Sequence, residues 1–128
     1  MTILGARPQF IKAAAVSRVI AEINSTKVEI EELIIHTGQH YNANMSDVFF
    51  KEMGIPKPNC NLNINSLSQG AMTGQMIERL EQLMEKNLPN IVLLYGDTNS
   101  TLSGALSARK LNIPIVHIEG GLRNFDLT

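Results

Sequence analysis

Apolar positions in this chain alternate between two rhythms: short unbroken runs, and stretches in which they recur every three or four residues. The runs are Thr2-Ile3-Leu4, Glu32 to His36, Ile91 to Leu94 and Ile113 to Ile118. The last two are rich in β-branched residues and predict strands buried on both faces. Helical spacing begins at Phe10 and continues through Ile11, Ala14, Ala15, Val19, Ile20 and Ile23. Pro8 suits the first turn of that helix, where its missing N–H is not needed, and Asn24-Ser25 ends it.

The helical rhythm returns from about Asn44 to Met53 (Met45, Val48, Phe49), closed by Gly54 and two following prolines. It returns again from Gly70 to Leu88, with Met72, Met76, Ile77, Leu80, Leu83 and Met84 on one face. Methionines at that spacing read as adaptable core packing. The last helix is Ser100 to Lys110, with Leu102, Ala105, Leu106 and Ala108 as its apolar positions. Residues 59–69 alternate briefly, which allows a short strand or extended edge, but their asparagines predict a loop. Strand followed by helix, four times over with short connections, predicts an α/β fold. Its form is a Rossmann-like, doubly wound parallel sheet with the first strand central.

Length and composition narrow the picture. At 128 residues the chain is one domain's worth, residues 1–128 forming a single unit with enough mass for a core. A net charge of -1 gives no electrostatic case for nucleic acid or an anionic membrane as partner. No apolar run reaches membrane-spanning length and no signal-peptide pattern opens the chain. The single cysteine, Cys60, excludes an internal disulfide and a zinc cluster built from cysteines. A reducing, cytoplasmic setting is the expectation. The last strand is followed by a glycine-rich turn and then Leu127-Thr128, with no helix to cover it, which suggests a domain cut from something longer.

Candidate chemistry gathers where the last two strands end. Asp97 follows one strand directly, in G-D-T-N-S-T; Glu119 follows the other and precedes Gly120-Gly121. Ligands of open parallel sheets sit beyond the carboxyl ends of the strands. Asp97 could serve as a helix cap, but Thr98, Asn99 and Ser100 can cap in its place and leave it facing a cleft. Glu119 could form a salt bridge to Arg123. The alternative is that the two acids transfer protons on both faces of one substrate. Arg7, at a strand-to-helix turn, reads as an anion site at a helix start. Lys12 falls near the other side of that helix. The G-x-G-x-x-G fingerprint is missing, which argues against a dinucleotide. His36, His40 and His117 read first as turn or core hydrogen-bonding groups, and their spacing suggests no metal site.

Four motifs carry a resemblance. G-A-R-P-Q-F-I-K (Gly5 to Lys12), T-G-Q-H-Y (Thr37 to Tyr41), Y-G-D-T-N-S-T (Tyr95 to Thr101) and H-I-E-G-G-L-R (His117 to Arg123) run from one end of the chain to the other. Together, in this order, they resemble the non-hydrolysing UDP-N-acetylglucosamine 2-epimerases. The resemblance implies the amino-terminal half of a two-domain, glycosyltransferase-B-like fold, the carboxy-terminal domain lying outside this chain. It implies Asp97 and Glu119 as catalytic acids, and Arg7, Lys12, Gln39, His40 and Arg123 as substrate-binding residues. It further implies elimination and re-addition of UDP, no metal and no cofactor, and a homodimeric full-length protein. The 128 residues alone are expected to be inactive. Gln39-His40-Tyr41 and Ser68-Gln69 depart from the pattern of members regulated by bound substrate. The first and last motifs also resemble epimerases of a UDP-diacetamido uronic acid. A nucleotide-sugar-binding module without turnover is the alternative outside enzymology.

Overall fold

The computed structural model describes residues 1–27, 29–38, 50–52 and 54–123. Five parallel strands form one sheet: β1 (Thr2–Leu4), β2 (Ile34–His36), β3 (Cys60–Asn61), β4 (Val92–Tyr95) and β5 (Ile115–Ile118). Among the described residues, three full helices pack on it: α1 (Arg7–Asn24), α2 (Gln69–Asn87) and α3 (Asn99–Lys110). The strand order is β3-β2-β1-β4-β5, with β1 central. The chain moves outward from β1 to β3, then returns past β1 to build β4 and β5 on its other side. Crossovers of one hand therefore place helices on opposite faces, and β1 and β4 flank the switch point. The expected doubly wound parallel architecture is the one observed. The helix expected from Asn44 to Met53 lies almost wholly outside the described residues; Phe50 to Glu52 are helical.

Alternation along each buried strand divides the core. Ile3, Ile35, Val92 and Leu94 join Met72, Met76, Leu80 and Met84 of α2. Leu4, Ile34 and Tyr95 point the other way, to Phe10, Ala13 and Ala14 of α1 and to Phe50 and Ile55. Ten or so fully buried large side chains, each worth about 1.5–3 kcal/mol of transfer free energy, form the main stabilising term.

Four expectations need correction. First, residues 59–69 are not loop throughout. Cys60 and Asn61 pair in parallel with Ile35 and His36, and the Asn59 side chain accepts a hydrogen bond from the Ile34 N–H at 2.8 Å. An asparagine can therefore anchor a short edge strand that its propensity would deny. Second, Ile113 to Ile118 is not buried on both faces. Among the described residues β5 is the sheet edge, and Ile115 and Val116 are exposed. Third, α1 does not bury the aliphatic stripe. Gln9, Phe10, Ala13, Ala14 and Ser17 face inward, while Ile11, Val19 and Ile23 are exposed. Fourth, α3 buries Ser100, Thr101, Ser103, Gly104, Ser107 and Ala108 and exposes Leu102 and Leu106. α3 lies close to its neighbours, and close approach selects small side chains over large ones.

Candidate active site at the carboxyl ends of the strands

β4 and β5 run side by side in register, Val92 beside Ile115 through Tyr95 beside Ile118. Their carboxyl ends therefore emerge together, and Asp97 and Glu119 leave the sheet at one edge. Both line a cleft of about 450 Å³ with Thr98, His117 and Arg123 on its polar side and Leu102, Ala105 and Leu122 on its apolar side. A second depression, of about 500 Å³, lies at the opposite, amino-terminal edge near Met1, Glu31 and Asn90. Ligands of such sheets bind at the carboxyl edge, so the first cleft is the candidate.

Thr98, not Asp97, caps α3: its hydroxyl accepts from the Thr101 N–H at 3.4 Å. The Asp97 side chain is thereby left exposed at the cleft, as its neighbours' capping ability predicted. Glu119 adopts φ +70°, the left-handed region that a non-glycine residue occupies at a cost of about 1–3 kcal/mol. The turn that results carries its carboxylate back over the neighbouring loop, where a Cβ on Gly96 would lie 3.7 Å from Oε2. The two acid-bearing loops are thus in contact. The His117 ring ties them further, donating from Nε2 to the Gly96 carbonyl at 2.5 Å. That bond is the turn role expected of a histidine here.

Glu119 is salt-bridged to Lys12 of α1, not to Arg123. Lys12 is expected near the other side of the helix from Arg7; its long side chain brings the ammonium over to the acid. Arg123 instead donates to the carbonyls of Gly120 and Leu122, at 3.1 and 2.6 Å, and so braces its own turn while lining the cleft. Arg7 stands exposed at the head of α1. The amides of Gly5 and Ala6 are held by the Gln9 side chain, Pro8 has none, and that of Gln9 bonds the Ala6 carbonyl. Gln39 and His40 lie outside the described residues. Among the described residues, no three histidines, cysteines or acids stand together as a metal site would need.

Two buried titratable groups lie near these loops. Burial pushes the Tyr95 hydroxyl up to about 12, with the Glu32 charge adding to the effect, so it stays protonated at neutral pH. His36 is held below its ordinary value, chiefly by burial and partly offset by a hydrogen bond to the Gly5 backbone. Its ring meets the Phe10 ring edge-on at 5.1 Å. Neither group is placed for proton transfer in the cleft.

Motif reading overlooked Gln9. It is 3% exposed, and its amide joins the β1–α1 loop to the β4–α3 loop. The available signal was an uncharged amide in the first turn of a helix, one residue after proline, where an apolar residue would pack more cheaply.

The family model for UDP-N-acetylglucosamine 2-epimerase matches residues 21–128, which include three of the four motifs. A UDP-2,3-diacetamido-2,3-dideoxy-D-glucuronate 2-epimerase of Pseudomonas aeruginosa is 54% identical over 127 residues, 99% of this chain and 35% of that protein. A UDP-N-acetylglucosamine 2-epimerase homolog of Methanococcus maripaludis is 55% identical over 126 residues, 98% of this chain and 34% of its own length. The crystal structure of Methanocaldococcus jannaschii UDP-GlcNAc 2-epimerase in complex with UDP-GlcNAc and UDP superposes with a TM-score of 0.88 at 45% identity. It matches 98% of this chain, which covers 33% of that one. The chain thus spans about a third of the length of the curated relatives it matches. Sheet order, paired acids, motif order and these similarities agree: the chain belongs to the UDP-N-acetylglucosamine 2-epimerase family.

Proposed function

We propose that this chain is the amino-terminal, acid-bearing domain of a UDP-N-acetylglucosamine 2-epimerase, interconverting UDP-N-acetylglucosamine and UDP-N-acetylmannosamine. The observation that carries the reading is the placement of Asp97 and Glu119 at the ends of adjacent parallel strands, facing one cleft. Adjacent strands lie about 4.8 Å apart, so both carboxylates can reach one sugar ring.

The chemistry explains the need for two acids. The C2 proton of the sugar is not next to a carbonyl and is not acidic. In the proposed route the C1–O bond breaks and its electron pair leaves with the β-phosphate of UDP. One carboxylate takes the C2 proton, and 2-acetamidoglucal remains. For the return, the second acid gives a proton to C2 on the opposite face while a β-phosphate oxygen re-forms the bond at C1. Nothing is oxidised or reduced, so the reaction asks for no redox cofactor. A carboxylate near the ring also stabilises the positive charge that develops at C1. Arg7 and Lys12 would hold the diphosphate, with Gln39, His40 and Arg123 completing the substrate contacts. The second domain would hold much of the UDP, the complete protein acting as a cytoplasmic homodimer.

The test is proton NMR of the complete protein with UDP-N-acetylglucosamine. Appearance of the manno epimer is the expected result. Release of free sugar without epimer, or binding of UDP without turnover, would contradict it. The 54% identity to the Pseudomonas enzyme favours a second substrate, a UDP-diacetamido uronic acid. Comparing kcat/KM for the two sugars decides between them.

A further inference from the structure

We propose that Gln9 is a positioning residue that sets the spacing between the substrate-anchoring loop and the acid loop, an inference that rests on the epimerase reading. The seam between β1 and β4 differs from its neighbours. β1 and β2 are in register at three positions, and β4 and β5 at four. β1 and β4 are in register only at Thr2 and Leu93, near their amino ends. Their carboxyl ends flank the switch point, beyond which ligands of such sheets sit.

The Gln9 side chain spans this seam. Its Oε1 accepts from the N–H groups of Gly5 and Ala6, at 2.7 and 3.0 Å. Its Nε2 donates to the Tyr95 carbonyl at 2.6 Å and to the hydroxyls of Thr98 and Thr101 at 3.0 and 3.2 Å. Backbone N–H groups can only donate and a carbonyl can only accept, so the orientation of the amide is fixed. Both lone pairs and both protons are used, which leaves no alternative seat for the side chain. On one side it holds the loop that leads to Arg7; on the other it holds the residues either side of Gly96-Asp97.

Two contacts beside it close the same junction. The Thr37 and Ser100 hydroxyls hydrogen-bond at 2.8 Å, and a Cβ on Gly5 would lie 1.9 Å from the Ser100 hydroxyl. The loops therefore meet without slack, and the amide is the polar link across the seam. A displacement near 1 Å at a reacting centre can cost about 10²-fold in rate, which is the scale on which such a link matters.

The experiment uses the complete protein with Gln9→Met and Gln9→Glu. Methionine keeps the length and removes every hydrogen bond. We expect kcat to fall by about 10- to 10²-fold while the Kd for UDP, much of which the second domain would hold, changes less than about threefold (about 0.65 kcal/mol). Amide hydrogen exchange at Gly5 and Ala6 should quicken by about tenfold or more, since those N–H groups lose their acceptor. Glutamic acid keeps the acceptor at all pH but can donate to Tyr95 only while protonated. Gln9→Glu should therefore add an alkaline limb to the kcat profile that the parent lacks, with the rate restored as pH falls. Equal losses in kcat and UDP affinity, unchanged amide exchange in Gln9→Met, or a Gln9→Glu profile parallel to the parent would each overturn the proposal. Should Gln9→Met fail to fold, the Gln9→Glu profile decides. Should the parent protein fail to epimerise either UDP-sugar, the functional reading falls, and the exchange measurement still judges the link.

Discussion

α2 and α3 lie side by side on the same face of the sheet and solve packing in opposite ways. α2 buries Met72, Met76, Leu80 and Met84, large side chains at helical spacing. α3 buries serines, a threonine, a glycine and an alanine, and leaves Leu102 and Leu106 51% and 42% exposed. The reason is distance. A Cβ on Gly104 would lie 2.7 Å from Leu94 Cδ2 and 2.9 Å from Ile3 Cδ1, so the helix backbone rests directly on the sheet. Serine hydroxyls that close to a neighbour need partners, and they donate to α2: Ser103 to the Thr73 carbonyl at 3.3 Å, Ser107 to the Ile77 carbonyl at 3.1 Å. α2 supplies volume to the core; α3 supplies proximity. Proximity is what the site needs, because the first turn of α3 holds the Asp97 loop against the β1 loop.

The two helices should therefore fail in opposite directions. The largest effect is expected at Met76, fully buried in the α2 face. Met76→Ala should cost about 2–5 kcal/mol in chemical denaturation, through lost transfer energy and the cavity left behind. α3 should suffer from added volume instead. Gly104→Ala gains about 1 kcal/mol of helix propensity but incurs about 1–3 kcal/mol of overpacking. A net loss near 1 kcal/mol is expected, and a net gain would show that the helix can lift off the sheet freely.

The opposite face of the sheet gives a pH-dependent contrast. His36 titrates below its unfolded value near 6.5 because burial disfavours its charged form. Between the unfolded and folded values the unfolded chain binds more protons, so stability falls as pH is lowered below about 6.5 and is full above it. His36→Leu should flatten that part of the stability profile, as read by thermal melts across the pH range. The smallest effect is expected on the outer face of α3, where Leu106→Gln should change stability by less than about 0.5 kcal/mol.

Much of the fold can be read from runs and periods. α2 and the inner strands follow the pattern of large apolar residues because burial there is a matter of volume. The same rule misplaces the faces of α1 and α3, since it weights Ile11, Val19 and Leu106 above Ala13, Ser103 and Gly104. In α3 close packing reverses that order, and no local pattern announces which helix must approach closely. At β3 the asparagines outweigh a brief alternation and favour loop over edge strand, yet Asn59 here satisfies the backbone of the strand beside it. At the site, Asp97 and Glu119 are legible because an acid directly after an apolar run is poor packing. The Lys12 salt bridge and the Gln9 link are not, for each joins residues far apart in sequence, 107 and 86 positions respectively. Only the strand order brings them together.

The central claim is that Asp97 and Glu119 act on opposite faces of one sugar carbon. It is tested most directly by deuterium incorporation at C2 in deuterated water, measured together with turnover, in the complete protein carrying Asp97→Asn or Glu119→Gln. Both substitutions keep shape and much of the hydrogen bonding while removing charge and proton transfer. Each should slow epimerisation and C2 exchange by about 10²- to 10⁴-fold, with UDP-sugar affinity changed far less. Near-parental exchange and turnover in either variant would contradict the account and assign that acid to holding its loop.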